Sequence, residues 1–284
     1  MVKKLHLNEF ADSGYFITIQ RGYISEDFDL HTHDFSELVV ITGGRAVHRV
    51  NGEEHPVQKG HVFVVNENSV HGFKDVKNLE FFNIMYDVKS LLISNPDLRK
   101  ISGFQSFFVL EPIYRKSSKY QNKMQLEDEG ISYVNNLLDL AYREYSGKSG
   151  GYKTATKSFF HILVVYLSRE YIKIHDECSS KILQLADVVV FMEEHFTQPL
   201  SIDILASKAY MSRRHFIRVF KEIYGTTPME YVIILRLDYA AKLLSNKDLN
   251  VTQVALQSGF SDPNYFTRIF RKKYNITPSK YKVN

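Results

Sequence analysis

A shift of 50 residues brings the C-terminal third of this chain into register with itself, and this repeat limits the fold more than any other feature. Phe216 falls on Phe266, Arg218 on Arg268, Phe220 on Phe270, Tyr224 on Tyr274, Thr227–Pro228 on Thr277–Pro278 and Tyr231 on Tyr281. One residue out of phase upstream, Ile202, Leu205 and Ala206 fall on Val251, Val254 and Ala255. Each copy reads as a short apolar-faced helix, a tight turn and a longer helix. The short helices are expected at Ser201–Lys208 and Val251–Gln257, and the turns at Ala209–Met211 and Ser258–Phe260, where Gly259 can take a positive φ. Ser212 and Asp262 are placed to cap the longer helices, and Pro263 stands at a first helical position, where its missing N–H is harmless. Gly225 and Asn275 occupy matching places where a left-handed residue ends a helix.

The helical wheel separates two tasks. Phe216/Phe220 and Phe266/Phe270 stand at i, i+4 and must face a core. Arg213, Arg214, Ile217, Arg218 and Lys221 are then left on the outer face in the first copy, and Asn264, Thr267, Arg268 and Arg271 in the second. Arg reads guanine edges, Asn reads adenine, Thr offers a methyl to thymine, and Lys or Arg neutralises phosphate. Arg218 and Arg268 could instead be held in salt bridges within the domain. Charge follows the same division. The whole chain carries 36 Lys+Arg and 32 Asp+Glu, but residues 181–284 hold 15 against 9, and residues 1–180 hold 21 against 23. A polyanion partner is expected for the C-terminal module alone.

The string Ala255, Gly259–Phe260, Tyr265–Phe266, Arg268, Phe270, Tyr274, Thr277–Pro278 and Tyr281, at these spacings, resembles the DNA-binding module of the AraC/XylS family of transcription regulators. Asn275 stands where that family usually has Gly, and Lys282 where Arg often follows the final Tyr. The resemblance implies two helix-turn-helix units joined by a long helix, here about Met229 to Leu244. Each unit would place its second helix in one of two successive major-groove segments on one face of double-stranded promoter DNA.

Upstream, the punctuation is that of an antiparallel β module. Runs expected to be strands are Tyr15–Arg21, His31–Ile41, Ala46–Val50, His61–Val65 and Leu79–Tyr86. They are separated by turn signals at Gly43–Gly44, Asn51–Gly52, Lys59–Gly60 and Glu67–Asn68. Asn51–Gly52 is the strongest hairpin signal, because both positions need positive φ. Many short strands at this spacing read as a sandwich or barrel. Beyond about residue 120 the period becomes helical. Leu126, Val134, Leu138, Ala141 and Tyr145 precede a break at Gly147–Gly151, and Phe159, Phe160, Leu163, Val164 and Leu167 recur within Tyr152–Ile174. These two helices could pack within the chain or form a dimer interface.

Seven of the eleven histidines precede residue 72. On one continuous strand His31, His33, Phe35 and Glu37 would share a face, and His71 follows a turn at Asn68. This resembles the two motifs of the cupin barrel, and His31, His33, Glu37 and His71 match its four metal-ligand positions. The second motif is degenerate, with Asn66 and Asn68 where Pro and Gly are usual and Asp75 where Asn is. Three readings stay open here. His31, His33, Phe35, Glu37 and His71 line a metal-free effector pocket, as in similar barrels of AraC-type regulators; or His31, His33, Glu37 and His71 bind a divalent transition metal; or they are satisfied in the barrel. If a carbohydrate is the effector, stacking must come from Phe or Tyr, since the chain has no Trp. Phe35, Tyr15 and Tyr86 are the candidates.

The expected architecture is α+β in two domains. Residues 1–115 form a cupin-like effector-binding β domain, 116–174 a helical dimerisation or docking segment, 175–180 a linker, and 181–284 an all-α DNA-binding domain. A single Cys excludes an internal disulfide and a Cys-rich zinc site. No apolar run approaches the ~20 residues of a membrane span, and Met1–Phe10 lacks a signal-peptide core, so the expected location is the cytoplasm, with no membrane partner. The resemblance implies a non-enzymatic regulator with no required cofactor, acting as a homodimer on promoter DNA and engaging RNA polymerase. The alternative is a metal-dependent cupin enzyme or metal sensor whose helical tail binds DNA or protein.

Overall fold

A computed structural model describes residues 2–12, 14–88, 90–91, 96–114, 123–175, 181–245 and 248–283. The chain divides into two compact units, Met1–Ile182 and Leu183–Asn284. The linker expected at 175–180 lies outside the described residues but for His175, the last residue of a helix.

The first unit is built on one eight-stranded sheet, β1 (Lys3–Leu5), β2 (Ile17–Ile24), β3 (Phe28–His33), β4 (Ser36–Val50), β5 (Glu53–Gln58), β6 (His61–Val65), β7 (His71–Tyr86) and β8 (Met124–Gln125). The order is β1-β3-β7-β4-β6-β8, with β2 also on β7 and β5 also on β4. All pairs are antiparallel except β1–β3. Asn51 and Gly52 turn with φ of 50° and 88° between the paired Val50 and Glu53, as a hairpin of this type requires.

Three expectations need correcting. Gly43–Gly44 is not a turn between strands; β4 runs through it as 15 residues, with register shifts against β7 on either side. Gly pairs serve bulges as readily as turns. Gly44 has φ of 68°, and a Cβ there would stand 1.9 Å from the carbonyl oxygen of Asn78, so only glycine fits the bulge. Second, the run His31–Ile41 breaks at Asp34–Phe35 between β3 and β4, which resets the alternation of its side chains. Third, the boundary at 115/116 does not separate strand from helix. Helical residues Ser102–Phe104, π-helical Gln105–Leu110 and helical Glu111–Tyr114 lie before it, and β8 lies after it, paired with β6. The buried Phe104, Phe107 and Phe108 have strand-like composition but cluster on a helix.

Helices α1 (Asp128–Gly147) and α2 (Tyr152–His175) pack on each other, and α1 also lies on β2. Val134, Leu138, Ala141, Phe160, Leu163, Val164 and Leu167 are buried in this layer. Leu140 and Ile162 stay exposed.

The second unit is helical throughout its described residues: α3 (Lys181–His195, begun two residues earlier), α4 (Ile202–Lys208), α5 (Arg213–Tyr224), α6 (Pro228–Leu243), α7 (Val251–Gln257), α8 (Pro263–Tyr274) and α9 (Pro278–Val283). The repeat is reproduced in three dimensions. The ring pairs Phe216–Phe220, Phe220–Tyr224 and Phe220–Tyr231 lie at 5.7, 4.5 and 5.6 Å. Their counterparts Phe266–Phe270, Phe270–Tyr274 and Phe270–Tyr281 lie at 5.5, 4.5 and 5.3 Å. Ser212 and Asp262 accept backbone N–H bonds at the heads of α5 and α8, and Gly225 and Asn275 end them with φ of 69° and 58°. Gly259 takes φ of 87° in the second turn; the first puts Tyr210 at the corresponding place with φ of 52° and 83% of its surface exposed.

Candidate functional site

The sheet of the first unit encloses a cavity of about 210 Å³. Cross-strand register explains its polar floor. Gln20 of β2 and Val39 of β4 both stand opposite Asn83 of β7, so the three reach one face of the sheet. Glu37, two residues before Val39, shares that face by alternation. His31 faces His71 across β3 and β7. Gln20, His31, Glu37, His71 and Asn83 therefore converge on the cavity, whose remaining wall is apolar and includes Phe28, Phe73, Phe81 and Met85, with Leu5 and Phe10 closing it from the N-terminal arm.

Hydrogen-bond partners set the roles of the imidazoles. His31 Nδ1 lies 3.2 Å from the carbonyl oxygen of Asp29, and His33 Nδ1 lies 2.6 Å from that of Phe35. A carbonyl can only accept, so the partners assign the proton to Nδ1 in each ring and leave a lone pair on Nε2. Burial pushes His31 below its ordinary pKa and takes His33 down to about 4, so both rings are neutral near pH 7. His71 is central, with Nε2 3.1 Å from His33 Nε2 and 3.5 Å from Glu37 Oε2, and Nδ1 3.3 Å from His48 Nε2. Glu37 is 4% exposed. Burial pushes its carboxyl up to about 7, against a hydrogen bond from Asn83 that lowers it. Asn83 Oδ1 is buried with no hydrogen-bond partner.

Of the expected pocket residues, His31, Glu37 and His71 reach the cavity, and His33 and Phe35 do not line it. The break at Asp34–Phe35 is the reason. It turns Phe35 back to stack on His33 at 4.6 Å, behind the wall. Tyr15 and Tyr86 are also elsewhere, against Tyr145 and Phe160. Asn83 and Gln20, which line the cavity, were missed, as was His48, which lies against His71. His48 was legible, because the alternation Ala46, His48, Val50 points inward from the hairpin; Asn83 follows the same logic between Phe81 and Met85.

The other candidate surface lies on α5 and α8. Phe216, Phe220, Phe266 and Phe270 are fully buried, and the opposite faces are open. Arg213, Arg214, Arg218, Lys221, Asn264, Arg268 and Arg271 are exposed, with Ile217 and Thr267 half-buried beside them. Arg213 pairs with Asp203. Arg218 lies 3.8 Å from Glu222 and 3.2 Å from His215 Nδ1, and the Arg268 guanidinium sits 5.4 Å from the Tyr265 ring. An exposed pair of this kind contributes only ~0–1 kcal/mol, so phosphate or a base edge can displace it. His215, on the same face, was missed; its i, i+3 spacing to Arg218 is the signal that pointed to it.

Residues 13–116 match a family model described as an AraC-like ligand binding domain, and residues 205–284 one described as a helix-turn-helix domain. The chain is 24% identical over 277 residues to the HTH-type transcriptional activator RhaR of Mannheimia succiniciproducens, covering 98% of this chain and 95% of that protein. It is 27% identical over 276 residues to the HTH-type transcriptional activator RhaS of Escherichia coli, covering 96% and 95%. Among solved structures, the DNA-binding domain of AdpA in complex with a target DNA is 35% identical over 35% of this chain and 90% of its own length, with a TM-score of 0.34. ToxT from Vibrio cholerae is 14% identical over 94% and 98%, with a TM-score of 0.33.

Proposed function

Because the chain belongs to the AraC/XylS family of transcription regulators, an effector-controlled DNA-binding protein, we propose that α5 and α8 are its recognition helices and the sheet cavity its effector site. The observation that carries this reading is the coincidence, in both copies, of a buried Phe pair with an open basic or amide-bearing face on the same helix. Arg213, Arg214, Ile217, Arg218 and Lys221 meet one major-groove segment, and Asn264, Thr267, Arg268 and Arg271 meet the next. Effector in the cavity shifts the balance between states of the first unit that differ in their effect on the second. Hydroxyl and ammonium groups are both donors that the cavity floor accepts, and a carbohydrate supplies the first. A homodimer through α1 and α2, contact with RNA polymerase and a chain without catalytic function complete the proposal. No described helix is long and apolar enough to cross a membrane.

Binding to genomic fragments, followed by footprinting, tests the assignment. Arg268→Ala is expected to cost about 1–3 kcal/mol and to relax preference at one base position, whereas Lys221→Ala weakens all sequences alike. Affinity should fall by roughly 0.9 log unit per log unit of salt for each phosphate neutralised. A salt-independent affinity, or no binding to DNA, overturns the reading.

A divalent metal is the second reading, and a specific observation favours it. His31, Glu37 and His71 each offer a ligand atom, all within 4.8 Å of one another. His33 Nε2 is close to His71 Nε2, and the Nδ1–carbonyl bonds of His31 and His33 are of the kind that orients metal-binding imidazoles. His31, Glu37 and His71 fit a transition metal, which when bound would act as a structural or sensory centre, with His33 against His71 beside them. Stoichiometric Zn, Mn, Fe or Ni in the purified protein, lost in His33→Ala and His71→Ala, would establish it; metal at trace levels would remove it.

A further inference from the structure

The long helix α6 does more than connect the two helix-turn-helix copies. From its middle, Arg236 reaches across the joint between them. Its Nε donates to the carbonyl oxygen of Phe196 at 2.6 Å and its Nη2 to that of Gln198 at 2.8 Å, in the loop that leads from α3 to α4. The same guanidinium lies 5.9 Å from the ring of Phe260, the last residue of the second turn. Phe260 is buried and packs on Phe266 of α8 at 5.2 Å. Gly259 closes the contact: a Cβ there would stand 2.7 Å from the carbonyl oxygen of Thr197 and 2.9 Å from Arg236 Nε. The turn that leads into α8 is therefore seated directly on the loop that leads into α4, and one half-buried side chain touches both.

The repeat supplies its own control. In the first copy the place of Gly259 belongs to Tyr210, which is exposed. Yet Phe216, Phe220 and Tyr224 close on one another with nearly the same ring spacings as Phe266, Phe270 and Tyr274. A unit of this kind thus forms its core without a neighbour on its turn. What the contact at Gly259 adds is a fixed relation between units. A guanidinium suits that task, because its planar fork holds two acceptors in one geometry, where an ammonium is a point charge.

We propose that Arg236 is a positioning residue that sets how far apart, and at what rotation, the two base sequences read by α5 and α8 must lie. It acts through the loop and the turn it holds, not on DNA itself. Each base pair added between the two sequences moves the second by about 3.4 Å along the duplex and about 35° around it. A stiff joint concentrates the second helix on its target at one spacing and forfeits that advantage at others, whereas a loose joint spreads it. This inference rests on α5 and α8 being the recognition helices, as proposed above, and adds what fixes their spacing.

The test uses the full chain and an operator delimited by footprinting, in four forms: native, one base pair inserted between the two halves, one base pair removed there, and one half scrambled. The parent is expected to lose about tenfold or more in affinity for either spacing variant, approaching its affinity for the scrambled form. Arg236→Leu, which keeps bulk but bonds neither carbonyl, should bind the native operator more weakly and show a spacing penalty of about threefold or less. It should bind the scrambled form as the parent does. Arg236→Lys, able to reach one carbonyl, should fall between. An equal loss on all four forms, or the parent's full spacing penalty in Arg236→Leu, overturns the proposal. If circular dichroism shows Arg236→Leu unfolded, Arg236→Lys decides alone: a reduced penalty supports the proposal and an undiminished one overturns it. A parent that binds no DNA refutes the recognition-helix reading itself, whereas a parent that binds but is indifferent to spacing refutes only the role of Arg236.

Discussion

Phe270→Ala is expected to destabilise the C-terminal unit by about 3–5 kcal/mol and to abolish specific DNA binding. The ring is fully buried beside Leu237, Ala240, Val254 and Phe266, and it contacts Tyr274 and Tyr281. Truncation to Ala removes its apolar contacts and leaves a void that α6, α7 and α8 must collapse around. Domains of this size hold ~5–15 kcal/mol in reserve, so the loss is a large share of the total. Phe220→Ala should lose a similar amount, since its ring neighbours are arranged in nearly the same way. Denaturant titration followed by circular dichroism, with DNA binding in parallel, measures both. The melting of the first unit should stay put, because the two units are separately compact. A loss below about 1 kcal/mol at Phe270 would mean that the second Phe pair does not organise its helix-turn-helix.

Glu37→Gln is expected to stabilise the ligand-free protein while removing its response to effector. The folded-state carboxyl sits at about 7, above its unfolded value, so between roughly pH 4.5 and 7 the native state holds a proton that the unfolded state has released. Its contribution is therefore intact below the unfolded pKa and is lost as pH rises through 7. A displacement of that size corresponds to on the order of 3 kcal/mol. The variant should be more stable than the parent by about this much at pH 8, with the difference closing towards pH 4.5. Thermal denaturation across pH 4.5–8 is the measurement. Parallel pH profiles for the two proteins would show that Glu37 is not a buried cost. A buried carboxylate that weakens the fold is a mark of binding function, because stability alone would favour Gln.

How legible each part was depended on where its information lies. The helix-turn-helix units were readable almost to the residue, because caps, Pro263, the left-handed terminators and the Phe spacing are local signals that the repeat states twice. Strand positions near Asn51–Gly52 and His61–Val65 were equally local. The bulge at Gly44 was not, since the carbonyl that forbids a side chain there belongs to Asn78, far along the chain. The cavity was half legible. His31, Glu37 and His71 announced themselves by residue type, and Asn83, like His48 against His71, could have been found by counting alternate positions. Leu5 and Phe10 reach the cavity through the arm, and Leu5 does so on a strand of only three residues. No periodicity foretells that contact.

The near-identity of the two ring clusters contrasts with the faces turned outward. Inside, the ring spacings of the two copies nearly coincide; outside, Arg214 stands against Asn264, Ile217 against Thr267 and Lys221 against Arg271, with only Arg218 and Arg268 alike. On the proposed reading, a pair of probes so mounted spells two different short words along the groove. The site covered by one chain accordingly has a left and a right end. Inverting such a site in front of a promoter would turn the whole bound chain around and present its other flank to the transcription start.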